Sequence, residues 1–129
     1  MSDGAVTVML VDDDEMIRDC VTAYLEDEGF MVYGADSGET GLKAIISLRP
    51  DVCISDMRLP GINGEEFLIK AHALCPATGY LLHTGMLYSP SYELYAIGMR
   101  PEHVLLKPIH DLSKLVAIIR QIAAAGRKE

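Results

Sequence analysis

Short apolar runs that alternate with helical segments constrain the fold of this chain more than any other feature. The runs cover residues 6–11, 30–35, 51–55, 79–83 and 104–106. Apolar runs of this length, separated by turn residues, are typical of buried strands. Because strands that alternate with helices form βαβ units, the pattern predicts an α/β domain built on a parallel sheet.

The segments between these runs carry apolar residues at helical spacing. The predicted helices cover residues 14–28, 37–48, 65–74 and 92–97, and a last helix begins at Asp111 or Ser113. We expect Asp14 to cap the first helix and Ser37 or Asp36 to cap the second. The residues predicted to face inward are Ile17, Val21, Tyr24, Leu25, Leu42, Ile45, Ile46, Leu115, Val116, Ile119 and Ile122. Residues 123–129 are expected to form a fraying tail.

Length and composition fit one globular domain over residues 1–129, since half of the chain is hydrophobic and 23% is charged. The net charge of −8 argues against direct nucleic-acid binding, which needs a basic face. No apolar run approaches the length that spans a membrane, and no signal-peptide pattern opens the chain. Cys20, Cys53 and Cys75 have no metal-ligand spacing, so we expect small buried hydrophobes in a reducing, cytoplasmic protein.

Polar residues follow four of the predicted strands at the point where each strand ends. They are Asp12 and Asp13, Asp56, Thr84 and Lys107. Because ligands bind beyond the carboxyl ends of the strands in open parallel sheets, these side chains are expected to share one site.

The chemistry of this set points to phosphoryl transfer. Three carboxylates raise one another's pKa unless a cation joins them, and oxygen ligands suit a hard cation such as Mg²⁺. An aspartate such as Asp56 can attack phosphorus and form an aspartyl phosphate. We expect the Lys107 ammonium to neutralise charge and the Thr84 hydroxyl to donate to a phosphoryl oxygen.

The chain resembles the receiver domain of bacterial two-component response regulators in four motifs that occur in order. They are Leu-Val-Asp-Asp-Asp at 10–14, Asp-Met-Arg-Leu-Pro-Gly-Ile-Asn-Gly at 56–64, His-Thr-Gly at 83–85 and Leu-Lys-Pro at 106–108. The resemblance implies a single doubly wound, flavodoxin-like (βα)5 domain with strand order 2-1-3-4-5.

The resemblance also implies functional roles. Asp56 would accept phosphate from a sensor histidine kinase or a phosphotransfer protein. Asp13, Asp56 and the Met57 carbonyl would ligate Mg²⁺, with Asp12 acting through water. Thr84 and Lys107 would form the switch pair, and a cis peptide is expected between Lys107 and the following proline. Such a domain catalyses only its own phosphorylation and dephosphorylation, and it switches a downstream target or an output domain outside this chain.

The sequence departs from the family pattern at the position three residues before the lysine, which is usually aromatic and is Val104 here. Tyr92 or Tyr95 could take over the role of that ring, and we expect the tyrosines at 88, 92 and 95 to be half-buried. The stretch 98–103 is longer than the usual loop. Arg58 and the methionine at 86 flank the predicted path of attacking water, which favours slow self-dephosphorylation. The four histidines are expected in surface or packing roles.

Three functions stay open at this point. The first is the phosphorylatable switch, which could dimerise through the face of the fourth helix, fifth strand and fifth helix. The second is a degenerate receiver that serves only as a docking module, an alternative that Val104 supports. The third is a phosphohydrolase of the haloacid-dehalogenase type, which places a second aspartate two residues after the nucleophile, where this chain has Arg58.

Overall fold

Five parallel strands form one twisted sheet in the computed structural model, which describes residues 5–85, 90–107 and 111–127. The strands are β1 (Thr7–Val11), β2 (Met31–Ala35), β3 (Val52–Asp56), β4 (Gly79–Thr84) and β5 (Val104–Leu106). Their order in the sheet is β2-β1-β3-β4-β5, and every pair is parallel. The predicted fold class and strand order are therefore confirmed. The expectations for Met86, Tyr88, Pro108 and His110 fall outside the described residues.

Five helices cover the two faces of this sheet. They are α1 (Glu15–Asp27), α2 (Gly38–Leu48), α3 (Gly64–Leu74), α4 (Tyr92–Ala96) and α5 (Leu112–Arg127), with a 3₁₀ turn at Pro101–His103. One buried cluster joins α2, α3 and α4 to the sheet, and the other joins α1 and α5 to its opposite face. Because both faces are covered, the central strands are apolar on both sides, which explains the continuous apolar runs in the sequence.

The predicted helix caps are confirmed at the first two helices. The Asp14 carboxylate accepts a hydrogen bond from the backbone N–H of Ile17 at 3.1 Å. The Ser37 hydroxyl accepts one from the N–H of Thr40 at the same distance. Each cap satisfies a donor that the first turn of a helix leaves unpaired.

Two residues that were expected inside are exposed. Ile46 is 55% exposed, whereas Ile45 beside it is fully buried. Neighbouring residues on a helix point about 100° apart, and the buried stripe of α2 passes through Gly38, Gly41 and Ile45, which leaves Ile46 on the exposed side. Cys20 is exposed for the same reason, since the buried stripe of its helix passes through Val21 and Leu25.

Two further sequence predictions are wrong. The last helix does not end before residue 123 but continues to Arg127, because Ala123 is buried one turn after Ile119 and extends the apolar stripe of α5. Tyr92 is not half-buried, since it is 85% exposed, whereas Tyr95 is 40% exposed, close to the expectation. The short helix α4 turns its buried Leu94 to the core and leaves the Tyr92 ring in solvent.

The amino edge of the sheet, where the strands begin, is closed by hydrogen bonds within the chain. The N–H of Thr7 donates to Asp51 Oδ2 at 2.9 Å. The Thr78 hydroxyl donates to the Pro50 carbonyl at 2.6 Å. These contacts tie the starts of β1 and β4 to the turn before β3. Among the described helices, none is long and apolar enough to cross a membrane.

Candidate functional site

The carboxyl edge of the sheet brings together three of the residues that the sequence singled out. Val11 pairs with Ser55, so Asp12 and Asp56 lie side by side at the ends of β1 and β3. Lys107 directly follows β5 and reaches back over the sheet. Its ammonium nitrogen lies 2.8 Å from Asp56 Oδ2 and 3.5 Å from Asp12 Oδ2. Strand register and a long side chain therefore assemble an ammonium with two carboxylates.

Asp13 completes an acidic cluster at this edge. One carboxylate oxygen from each of Asp12, Asp13 and Asp56 lies within 4.8 Å of the others. Asp12 and Asp56 are buried and Asp13 is exposed, so the cluster opens to solvent on one side. With Lys107 as its ammonium partner, the cluster keeps two negative charges in excess when all three carboxyls are ionised.

Burial and the neighbouring opposite charges act in opposite directions on the pKa of Asp12 and on that of Lys107. Burial raises the pKa of the Asp12 carboxyl above its ordinary value, and the Asp14 N–H and Lys107 only partly oppose this. Burial alone would lower the pKa of Lys107, but the hydrogen bond and the charge of Asp56, together with Asp12, raise it. The lysine is thus held as a cation, while Asp12 is the carboxyl whose ionised form lacks adequate compensation.

The acidic cluster fits a divalent cation. All of its donors are carboxylate oxygens, which hard cations such as Mg²⁺ prefer. Within the described part of the chain, the buried Oδ2 of Asp12 receives no hydrogen bond and lies 3.5 Å from the Lys107 ammonium, so it could accept a closer cation. The excess of two negative charges equals the charge of one such ion.

The loop between β1 and α1 is fixed from several sides. The N–H of Asp12 donates to the Ala35 carbonyl at 3.0 Å, and its Oδ1 accepts from the N–H of Asp14 at 2.9 Å. The guanidinium of Arg18 donates to the Asp12 carbonyl at 2.6 Å. Both ends of the Asp12 residue are therefore held before any ligand is present.

The loop after β3 is fixed at its far end by Gly64. The N–H of Gly64 donates to the Met57 carbonyl at 2.8 Å, so this carbonyl holds the loop against α3. A Cβ at Gly64 would overlap the Asp56 carbonyl oxygen, which explains why a glycine begins the helix there. The role of the Met57 carbonyl as a metal ligand stays a prediction.

A cleft of about 380 Å³ opens beside Asp56 and Lys107, and Arg58 and Gly85 also line it. The N–H of Arg58 donates to Asp56 Oδ1 at 3.3 Å, while Lys107 holds Oδ2. Both oxygens of the Asp56 carboxylate therefore have defined directions. Asp56 is 6% exposed, so a reagent in the cleft meets an oriented carboxylate at its floor.

Thr84 ends β4 beside this cleft. It is buried, and its carbonyl accepts the N–H of Lys107 at 2.7 Å. Strand alternation puts Thr84 on the face of Tyr80 and Leu82, which belong to the cluster under α3 and α4. The backbone of Thr84 thus contacts Lys107, whereas its side chain leaves the strand on the face of the sheet that α3 and α4 cover.

His83 is a residue of this edge that sequence reasoning placed only in a general surface or packing role. It pairs in register with Asp56, and its carbonyl accepts the N–H of Met57 at 3.2 Å. Its ring is buried, and Nε2 has no hydrogen-bond partner among the residues that the structure describes. Burial, followed by the charge of Lys107, lowers the pKa of His83 to about 4. Its position directly before Thr84 in an apolar strand was the available signal.

The sheet order and the arrangement of helices define a flavodoxin-like α/β domain of the CheY type. Residues 8–120 match the family described as the response regulator receiver domain, and the chain belongs to that family. It is thus a receiver domain of two-component response regulators, which supports a place in a phosphorelay. The receiver fold is not that of an established enzyme family.

Curated relatives are longer proteins. The response regulator GacA of Pseudomonas viridiflava is 42% identical over 72 residues, which cover 52% of this chain and 34% of GacA. The uncharacterized transcriptional regulatory protein YesN of Bacillus subtilis is 24% identical over 125 residues, covering 95% of this chain and 33% of YesN. The chain spans about a third of the length of these relatives.

Solved structures share the whole fold. A CheY-like receiver domain from Methanospirillum hungatei has a TM-score of 0.82 at 27% identity, covering 97% of this chain and 98% of that one. CheY4 of Vibrio cholerae has a TM-score of 0.81 at 28% identity, covering 92% and 99%. TrrA of Thermotoga maritima, determined in complex with Mg²⁺-BeF, shows the same fold at 24% identity and a TM-score of 0.79, covering 91% and 98%.

Proposed function

We propose that this receiver domain, folded as one unit over residues 1–129, accepts a phosphoryl group on Asp56 in a Mg²⁺-dependent reaction. The observation that carries the proposal is the buried Asp56 carboxylate, oriented by Lys107 at 2.8 Å on the floor of an open cleft. The donor would be a phosphohistidine of a sensor histidine kinase or a phosphotransfer protein. This donor class fits because the chain needs only an oriented acceptor and charge compensation.

In the proposed step, a carboxylate oxygen of Asp56 attacks the phosphorus of the donor. The new P–O bond forms as the P–N bond breaks, and the departing imidazole nitrogen keeps the electron pair and later takes up a proton. Lys107 offsets negative charge as a fixed ammonium on one side. The Thr84 hydroxyl would turn towards the new phosphoryl oxygen and donate to it, which makes Thr84 and Lys107 the switch pair.

Mg²⁺ would be held by the carboxylates of Asp13 and Asp56, with Asp12 acting through water, and the Met57 carbonyl is a further candidate ligand. Bound there, the ion would offset the charge of the phosphoryl oxygens. The chain's own contribution is to hold the three carboxylates together against their repulsion, and to leave Asp12 Oδ2 free of hydrogen bonds from the described residues. TrrA, determined in complex with Mg²⁺-BeF, is a precedent among proteins of this fold.

The output of the switch would be a change in a docking face. Tyr92 and Leu106 are large exposed apolar side chains on α4 and β5, at 85% and 48% exposure. We propose that they belong to the face formed by α4, β5 and α5, which would contact a downstream protein, an output domain or a second copy in the cytoplasm. Val104 is partly buried against the core, so Tyr92 or Tyr95 would report the switch in its place.

The acceptor is tested by intact-mass measurement after incubation with acetyl phosphate and Mg²⁺. We expect the mass of one phosphoryl group on the wild type and no gain for Asp56→Asn. Asp27→Asn, an exposed residue at the end of α1, is the matched control and should be labelled like the wild type. Full labelling of Asp56→Asn, or an unlabelled wild type with saturating donor, contradicts the proposal.

The same incubation, with the consumption of acetyl phosphate followed beside the intact mass, separates the switch from the two other functions. A degenerate docking module would gain no mass under any condition. A phosphohydrolase would consume acetyl phosphate with many turnovers, but Arg58 occupies the position where such an enzyme carries its second aspartate. We expect a labelled form that persists, since the Arg58 side chain would restrict the approach of water to the acyl phosphate. Arg58→Ala should shorten the lifetime of the labelled protein.

A further inference from the structure

Arg18, in the first turn of α1, contacts the loop that precedes the helix. Its guanidinium Nη1 donates to the Asp12 carbonyl at 2.6 Å, which is a charge-assisted hydrogen bond. The side chain is half-buried, so the contact is partly shielded from water. The carbonyl that it holds belongs to the peptide group that joins Asp12 to Asp13.

A peptide group is planar, so fixing its carbonyl oxygen also fixes the directions in which both flanking residues leave it. The Asp12 N–H is already held by the Ala35 carbonyl at 3.0 Å. With Arg18 on the carbonyl, the residue is held at both ends, and rotation of the peptide between the two aspartates is blocked. Two of the three carboxylates of the acidic cluster, those of Asp12 and Asp13, therefore depend on this one plane.

Gly34 gives Arg18 its path across β2. A Cβ built on Gly34 would lie 3.1 Å from Cδ of Arg18, which is tighter than an ordinary contact. The backbone of Gly34 does not have a positive φ, so conformation alone does not require glycine there. A larger residue at position 34 would therefore press on the aliphatic part of the Arg18 side chain.

We infer that Arg18 is a positioning residue that sets the Asp12–Asp13 peptide, and through it the carboxylates, for a divalent cation. The inference rests on the proposed Mg²⁺ site and deepens it. Arg18 would act through geometry rather than through its charge, and these two effects would change the Mg²⁺ affinity in opposite directions. An arginine near the cluster repels a cation, so removing it should tighten Mg²⁺ binding if charge decides. Removing it should weaken binding if positioning decides.

The test is calorimetric titration of the unphosphorylated protein with Mg²⁺ alone, for wild type, Arg18→Met and Arg120→Met. Methionine keeps much of the apolar stem but loses the guanidinium. We expect Arg18→Met to weaken Mg²⁺ binding about tenfold, as is typical when a group that orients metal ligands is lost. Arg120→Met removes the same charge where it pairs with Glu28, and it should leave the affinity unchanged.

Gly34→Ala provides a second variant that keeps the guanidinium and its charge. It should weaken Mg²⁺ binding about twofold to threefold in the wild-type background, a small part of the effect expected for losing the group. It should have no further effect in the Arg18→Met background. Thermal unfolding without Mg²⁺ is measured in parallel, because a purely structural arginine would lower the melting temperature and leave the Mg²⁺ affinity as it is.

The inference is overturned if Arg18→Met binds Mg²⁺ as tightly as the wild type or more tightly, or if Arg120→Met weakens binding equally. It is also overturned if the effect of Gly34→Ala persists without the arginine. Failure of the metal site itself gives a different result. In that case the wild type and Asp13→Asn show the same absence of binding heat.

Discussion

His83 should make the stability of the domain fall on mild acidification. The ring is buried beside the acidic cluster, and its pKa is lowered from 6.5 to about 4, first by burial and then by the charge of Lys107. A histidine whose pKa is depressed in the folded state stabilises the fold above its unfolded pKa. That contribution is lost as the pH falls from 6.5 towards 4.

The magnitude follows from proton linkage. With pKa values of 6.5 in the unfolded chain and about 4 in the folded one, the loss of unfolding free energy at pH 5 is about 2 kcal/mol. His83→Leu removes the titrating group, whose Nε2 has no hydrogen-bond partner among the described residues, and puts an apolar side chain of similar size in its place. The variant should therefore lose about 2 kcal/mol less than the wild type between pH 7.5 and pH 5.

Urea unfolding at both pH values, followed by far-ultraviolet circular dichroism, measures this difference. The raised pKa of Asp12 acts in the opposite direction, since it adds stability as the pH falls, but it is present in both proteins and cancels in the comparison. His72→Gln, a partly exposed histidine on α3, should follow the wild type. Parallel loss of stability in the wild type and His83→Leu would refute the reasoning.

Two further predictions concern the groups around Asp56. Lys107→Met should lower the unfolding free energy of the metal-free protein by about 1–2 kcal/mol, because it leaves the buried carboxylates without their ammonium. The effect is smaller than for a fully buried pair, because the lysine side chain is 21% exposed and water screens its charge. Urea unfolding checks this, and an unchanged unfolding free energy would show that the ion pair does not stabilise the fold. Gly64→Ala should cost about 3 kcal/mol or more, because its Cβ would overlap the Asp56 carbonyl oxygen. A melting temperature equal to that of the wild type would contradict the tight start of α3.

Strand ends were the part of the site that the sequence could predict. Asp12, Asp56 and Lys107 each follow an apolar run, and parallel strands bring such ends to one edge, so their meeting needs only the topology. The contact of Arg18 with the Asp12 carbonyl could not be predicted, because it depends on the path of one side chain across Gly34. Burial of His83 and its lowered pKa likewise depend on what packs around it.

The wrong predictions about the fold concern which helical residues are buried. Ile45 and Ile46 are both apolar, but only the residue that faces the sheet is buried, and the sequence does not show which of the two that is. The end of α5 was placed too early because alanines carry little apolar signal, although Ala123 is buried. Small residues next to a closely packed sheet contribute to a core that hydrophobicity patterns underestimate.

The two edges of the sheet use their polar groups in opposite ways, so substitutions at the two edges would have different effects. At the amino edge, the Thr7 N–H and the Thr78 hydroxyl are each satisfied within the chain. A substitution there would remove a hydrogen bond that holds the fold. At the carboxyl edge, like charges are crowded and much of the surrounding chain is loop. A substitution at this edge would alter the charge of the site, while the hydrogen bonds of the opposite edge would still hold the strands together.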